Sequence, residues 1–153
     1  ERKHPARSLP RRLISTAAAT VLLLLLSYLC SLLPGGNYSP AEQTSLASGA
    51  RMSLPFAALL LRSAVFPAVC EELYYRRSLS DAIASVGAGR FTACICAALL
   101  FAVSHTGGGL SSVLLAGISS LILSALRTRS KSIACPIAAH LIYNSAVLIA
   151  ANI

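Results

Sequence analysis

The sequence is short of charge, and shortest of negative charge. Only 12% of its 153 residues are charged, and just five are acidic, whereas soluble proteins carry about 25% charged residues. Hydrophobic residues make up 56% of the chain, and the mean hydropathy is +0.71. This composition excludes an ordinary soluble domain and places the chain in the membrane class.

Tryptophan is absent from the sequence. The basic residues that give the net charge of +8 are not spread as on a nucleic-acid-binding surface. They form short groups at residues 2–12, 76–90 and 127–131, between long apolar runs. Such groups suit anionic lipid head groups. The sequence therefore predicts a lipid bilayer, and no nucleic acid, as a partner.

The five cysteines are odd in number and lie mostly within apolar runs, which is typical of small buried thiols. Cys94 and Cys96 would point to nearly opposite faces of a helix, which makes them a poor chelate. The sequence predicts neither a disulfide framework nor a zinc knuckle.

Five apolar segments account for most of the chain. Residues 13–33 form an uncharged run of 21 residues, enough to cross about 30 Å of hydrocarbon and longer than the core of about 7–15 residues in a signal peptide. Further segments begin near residue 54 and cover residues 91–105, 110–126 and 132–153. We therefore predict an all-α fold, a polytopic membrane bundle of about five transmembrane helices.

The segments divide the chain into three parts. Residues 1–12 are a basic N-terminal segment, residues 13–53 hold the first transmembrane helix and a polar loop, and residues 54–153 hold the remaining bundle. Basic groups fall on alternate connections, which predicts a multi-pass protein with its N-terminus in the cytoplasm. The chain starts at Glu1 rather than Met, which is typical of a fragment or a processed form.

Two of the five acidic residues, Glu71 and Glu72, stand side by side at the end of an apolar run. A carboxylate in the middle of a bilayer costs about 2.5–3.5 kcal/mol on insertion scales, so we expect this pair to have a function. Pro67 should kink the helix that carries the pair and free the carbonyl group of Ser63.

We expect this helix to continue past Arg77 to about Val86, because Arg77 and Asp81 are spaced to pair on one helix face. The longer helix would also bring the glutamate pair toward the level of His105.

Three further pairs of polar or aromatic residues are spaced four apart, so each pair shares one helix face. They are Glu72 with Arg76, Phe101 with His105, and His140 with Asn144. A single histidine in a membrane helix is as often a structural hydrogen-bonding residue as a catalytic one. Two histidines beside two carboxylates and an arginine in one small bundle favour a catalytic cluster instead, with Glu72 and Arg76 as its supporting ion pair.

The chemistry open to this cluster is hydrolysis of a peptide bond by activated water. Burial raises the pKa of a carboxyl group and a nearby guanidinium lowers it, so the balance can leave a general base near neutral pH. Glu71, with His105, would hold and deprotonate the water. His140 and Asn144 would donate hydrogen bonds to the developing oxyanion.

Other layouts of intramembrane proteases do not fit. Asp81 is the only aspartate, so an aspartyl dyad cannot form, and no His-Glu-x-x-His zinc helix is present. Ser48-Gly49 lies in a polar loop and lacks the first glycine of a Gly-x-Ser-Gly nucleophile motif.

The ordered motifs resemble those of the CPBP, or Abi, intramembrane endopeptidases, which include the type II CAAX prenyl endopeptidases. The family pattern of Glu-Glu-x-x-x-Arg, Phe-x-x-x-His and His-x-x-x-Asn is met here by residues 71–76, 101–105 and 140–144. The resemblance covers roughly residues 55–150 and implies that residues 54–153 are a CPBP-type intramembrane protease core. It implies an all-helical membrane protease that cleaves near the C-terminus of a membrane-associated protein, such as a prenylated CAAX protein.

The resemblance also implies roles for individual residues and leaves the metal open. It assigns the base to Glu71 with His105, the oxyanion contacts to His140 and Asn144, and the supporting pair to Glu72 and Arg76. Members of the family have been described both as metalloproteases and as glutamic proteases. We expect no cofactor; if zinc is bound, its ligands would come from Glu71, Glu72, His105 and His140.

The chain departs from the family pattern in two respects. Arg77 replaces the glycine that usually follows the motif arginine, and fewer spans precede the glutamate pair than members usually have. The missing spans would be lost by truncation or supplied by another protomer. The alternative function is that of a non-enzymatic membrane protein, for immunity or partner binding, whose polar cluster only holds helices together.

Overall fold

The described part of the chain is entirely helical. In the computed structural model, residues 8–33 and 55–150 are described, and no β-strand occurs within these ranges. The helices are α1 (Leu9–Ser31), α2 (residues 56–85), α3 (Arg90–Val103), α4 (Gly109–Ser130) and α5 (Ala134–Ala150). The predicted all-α bundle is therefore confirmed. Residues 1–7 of the basic segment and the whole predicted loop lie outside the described residues.

Among the described residues, two helices are long and apolar enough to cross a membrane, namely Leu9–Ser31 and the run Thr106–Ser130 that includes α4. Two more helices, Arg90–Val103 and Ala134–Ala150, are apolar but shorter. Many large apolar side chains of α1 are exposed, as expected for a surface that faces lipid rather than water; they include Leu13, Val21, Leu25 and Leu29.

The core forms where α1, α4 and α5 meet. Its buried members are Ala19, Leu23, Leu123, Leu126, Cys135, Ala139 and Tyr143. On its other side, α4 packs against α3, and the approach is close at Gly117: a Cβ atom there would lie 3.3 Å from the Cβ atom of Ala102. Small residues at such contacts let membrane helices pack by van der Waals contact.

Helix α2 is a continuous run in which α-helical and π-helical stretches alternate. Its parts are Phe56–Leu60 (α), Leu61–Val65 (π), Phe66–Glu71 (α), Glu72–Leu79 (π) and Ser80–Ser85 (α). The first π stretch ends just before Pro67, which cannot donate a backbone hydrogen bond. The second carries Glu72 and Arg76, and π segments of this kind are frequent at functional sites.

Helix α2 ends at Ser85, so the prediction that it continues past Arg77 to about Val86 is confirmed. At the end of the second π stretch, the Ser80 hydroxyl donates a hydrogen bond to the Tyr75 carbonyl oxygen at 2.8 Å.

The predicted pair of Arg77 with Asp81 is wrong. Asp81 Oδ2 instead accepts a hydrogen bond from Arg127 Nη2 of α4 at 2.7 Å. Spacing along one helix could not reveal a competing guanidinium that the tertiary fold brings to the carboxylate. The contact fixes the end of α2 beside the end of α4.

The connection between α3 and α4 is short. Helix α3 ends at Val103, and a 3-10 turn over Thr106–Gly108 leads to Gly109, whose φ of 77° favours glycine. His105 lies between the two helices in this turn, one residue before the 3-10 stretch.

Candidate active site

The predicted ion pair of Glu72 and Arg76 is present in the interior of the bundle. Arg76 Nη1 lies 3.1 Å from Glu72 Oε1, and the side chains are 1% and 0% exposed. The guanidinium also lies over the ring of Phe101, with 4.8 Å between Cζ and the ring centroid. Because an unpaired charge is strongly unfavourable in such surroundings, each of the two side chains requires the other as its partner.

His140 of α5 contacts both glutamates of α2. Its Nδ1 lies 2.9 Å from Glu72 Oε1, and its Nε2 lies 3.8 Å from Glu71 Oε2. An ionised carboxylate can only accept, so Nδ1 donates to Glu72. This bond fixes the orientation of the imidazole ring and leaves Nε2 directed to Glu71.

The two adjacent glutamates differ in their access to solvent. The Glu72 side chain is fully buried and bound by Arg76 and His140, whereas the Glu71 side chain is 30% exposed. Only Glu71 can therefore reach a water molecule or a substrate.

The C-terminal end of α3 holds the ring of His105 in place. Its Nδ1 lies 2.8 Å from the carbonyl oxygen of Phe101 and 3.1 Å from the hydroxyl of Ser104. A carbonyl only accepts, so Nδ1 donates to it and the neutral ring keeps its acceptor at Nε2. The ring also packs on Phe101, at 4.5 Å between centroids, and Phe101 packs edge-on against Tyr75 at 4.9 Å.

One cavity of about 320 Å³ brings together four of the six predicted site residues. They are Glu71, His105, His140 and Asn144, which come from α2, the α3–α4 turn and α5. Glu72 and Arg76 lie outside this lining and support it through His140. The arrangement offers a carboxylate, two imidazoles and a carboxamide to one bound group.

The contribution of α4 to this cavity was not predicted from the sequence. Ser112 and Ser119 line it, together with Tyr143 of α5 and Arg62 and Pro67 of α2. Ser112 and Ser119 are seven residues apart, two helical turns, and both are buried. A repeat of serines on one face of the uncharged run 110–126 was the signal that could have indicated them.

The residues named for a zinc site do not form a ligand set. Within residues 8–33 and 55–150, no three side chains of His, Cys, Asp or Glu are placed to hold one metal ion. Glu72 is bound to a guanidinium at 3.1 Å, and His105 uses Nδ1 for a backbone carbonyl. We therefore derive no step through a metal.

Comparison with known proteins identifies the family. A family model described as type II CAAX prenyl endopeptidase Rce1-like matches residues 53–146, a range that contains all three motifs. No curated protein and no solved structure matches the chain. Since the family match extends over more than half of the sequence, the resemblance read from the motifs is confirmed, and the chain belongs to the Rce1-like family of type II CAAX prenyl endopeptidases, a family of membrane-embedded proteases.

Proposed function

We propose that this protein cleaves a peptide bond of a membrane-associated protein with a water activated by Glu71. The observation that carries the proposal is the shared cavity, where the one partly exposed carboxylate of the pair faces two imidazoles and a carboxamide. General bases act within hydrogen-bond reach of the proton that they remove, and Glu71 has this access.

In the first step, the Glu71 carboxylate takes a proton from a water molecule, and the water oxygen attacks the scissile carbonyl carbon. His105 Nε2, free because Nδ1 is bonded to Phe101, accepts a hydrogen bond that orients this water. The carbonyl π electrons move to oxygen and form the tetrahedral oxyanion.

The oxyanion is stabilised by His140 and Asn144. Because His140 Nδ1 donates to Glu72, donation from Nε2 requires the ring to carry both protons. Glu72, at 2.9 Å from Nδ1, is the counter-charge for that form, because Glu71 has by then taken the proton of the water. When the intermediate collapses, the C–N bond breaks and protonated Glu71 returns its proton to the leaving amine.

The substrate class follows from the family description, which names CAAX prenyl substrates. We infer a peptide close to the C-terminus of a membrane-associated protein, with a prenylated CAAX sequence as the first candidate. The active site would operate without a metal ion.

We further propose that the chain crosses the membrane several times with its basic end in the cytoplasm. Ala19 and Leu23, near the middle of α1, pack in one core with Leu123 of the C-terminal half of α4, and we infer that Arg12 and Arg127 lie toward the same end of the bundle. The positive-inside rule assigns this end to the cytoplasm.

The decisive experiment is cleavage of a peptide panel by the protein reconstituted in lipid. The panel contains a farnesylated CAAX peptide and its unprenylated form, each assayed with and without chelator. We expect Glu71→Gln to lower the cleavage rate at least about 100-fold without changing the melting temperature. Asp81→Asn, the same change of acid to amide on the same helix but outside the cavity, should leave cleavage unchanged.

Full activity of Glu71→Gln would refute the assignment of the base. Loss of wild-type activity with chelator would refute the metal-independent route. The buried cluster of Glu72, Arg76 and His140 would also suit a non-enzymatic protein, because it joins α2 to α5. Absence of any cleavage by the wild type, together with a partner-binding or immunity phenotype that survives Glu71→Gln, would favour that function.

A further inference from the structure

A second cavity, of about 480 Å³, lies at the basic end of the bundle. Five cationic side chains line it, with a single carboxylate: Arg76, Arg77, Arg90, Arg127, Lys131 and Asp81. They come from the second half of α2, the start of α3 and the end of α4. The lining therefore carries a large excess of positive charge around one half-open cavity.

Most of this charge is not neutralised within the described residues. Asp81 pairs with Arg127 at 2.7 Å, and Arg76 pairs with Glu72, which lies outside this cavity. Arg77, Arg90 and Lys131 have no ion-pair partner among residues 8–33 and 55–150. Cations held together in this way repel one another, so the site favours an anion that they can share.

Two residues that line this cavity also carry buried hydrogen-bond donors without acceptors. The hydroxyl of Ser124, a residue only 5% exposed, has no hydrogen-bond partner in the described residues, and the same holds for Nε and Nη2 of Arg76. Buried polar groups are rarely left unpaired. A ligand with several acceptor oxygens would satisfy both side chains.

We propose that this cavity binds the phosphate group of an anionic phospholipid. Phosphate is an anion that guanidinium groups recognise well, because its oxygens can accept two parallel hydrogen bonds. The cavity has room for the group and its substituents, since one water molecule occupies only about 30 Å³. Basic pockets between membrane helices on the cytoplasmic side bind head groups in this way.

The position of the cavity favours a lipid over a free phosphate ion. It lies where α2 and α4 end and α3 begins, which is the level of the head groups if the apolar parts of these helices lie in the hydrocarbon. A lipid phosphate is present there at high local concentration, with its acyl chains free to lie along the exposed apolar helix surfaces.

The test measures lipid binding to the purified protein in neutral detergent by native mass spectrometry, with thermal unfolding as a second readout. The probes are phosphatidylglycerol, phosphatidylcholine and inorganic phosphate. We expect one tightly bound phosphatidylglycerol that raises the melting temperature, and much weaker effects of the other two. Arg90→Gln should weaken the binding about fivefold, the effect of one basic residue near a charged lipid surface.

Arg129→Gln is the matched control, because Arg129 is an exposed residue in the last turn of α4 that does not line the cavity. It should bind phosphatidylglycerol as the wild type does. If Arg129→Gln weakens binding as much as Arg90→Gln, diffuse surface charge explains the effect and the site is refuted.

Lys131→Gly separates binding from folding. Lys131 is the C-cap of α4 and has a left-handed backbone with φ 54°, a conformation in which glycine is favoured. The variant should melt at a higher temperature without lipid, yet gain less from phosphatidylglycerol. An undiminished gain, or equal stabilisation by inorganic phosphate, would overturn the proposal.

Discussion

Replacing Arg76 tests how the buried charges of the site stabilise the fold. The side chain is 1% exposed, lies 3.1 Å from Glu72 Oε1 and packs over Phe101 at 4.8 Å. Arg76→Ala leaves a carboxylate that is 0% exposed with His140 Nδ1 as its remaining polar partner, at 2.9 Å. The variant should therefore be strongly destabilised and inactive.

The size of the effect follows from these contacts. Removal of one partner from a buried ion pair costs about 3–5 kcal/mol, and the lost contact with the aromatic ring adds about 0.5–2 kcal/mol. Since a domain is stable by only about 5–15 kcal/mol, this loss is a large fraction of the total. Because alanine also leaves a cavity, Arg76→Met is the control that keeps most of the side-chain volume.

The assay is reversible unfolding of the purified protein in detergent by an added denaturant. Arg76→Met should lose nearly as much stability as Arg76→Ala, because the unpaired carboxylate dominates. The double variant Arg76→Met with Glu72→Gln should recover most of the loss, since glutamine is uncharged and its carbonyl oxygen still accepts from His140. An Arg76→Met protein within about 1 kcal/mol of the wild type, or a double variant no more stable than the single one, would refute the reasoning.

Two further predictions concern contacts outside the site. Asp81→Asn should lower stability by no more than about 1 kcal/mol, because the side chains of Arg127 and Asp81 are 22% and 46% exposed and water screens the pair. The loss of stability should shrink at high salt. A larger loss in denaturant unfolding would contradict this prediction. Gly117→Val should destabilise the protein by about 1–3 kcal/mol, because even a single Cβ atom would lie 3.3 Å from the Cβ atom of Ala102. Ser119→Ala on the same helix is the control. A valine variant as stable as the wild type would show that α3 and α4 can separate without loss of stability.

Much of the fold was predictable because its determinants are local. Apolar runs between basic groups indicate membrane helices, since a bilayer requires backbone groups to be bonded within each segment. The four-residue spacing of Glu72 and Arg76 sufficed to predict their ion pair, because that distance joins neighbours on one helix. The ordered motifs likewise indicate the family without any tertiary information.

Other features depend on which helices become neighbours, and spacing along the chain carries no such information. Asp81 was expected to pair with Arg77 on its own helix, but the fold brings Arg127 of α4 to it. The serines of α4 line the candidate active-site cavity for the same reason.

The sequence by itself determined that the helices are apolar, which family the chain belongs to, and which charged residues lie within the bundle. Hydropathy and short-range spacing determine these features because they act within one segment. Only the tertiary structure decided which of the two adjacent glutamates is buried and which is accessible to water. Packing buries Glu72 against Arg76 and His140 and leaves Glu71 30% exposed at the cavity. Access to water is a property of the assembled helices, and two neighbouring residues of the same type differ in it only after the helices have packed.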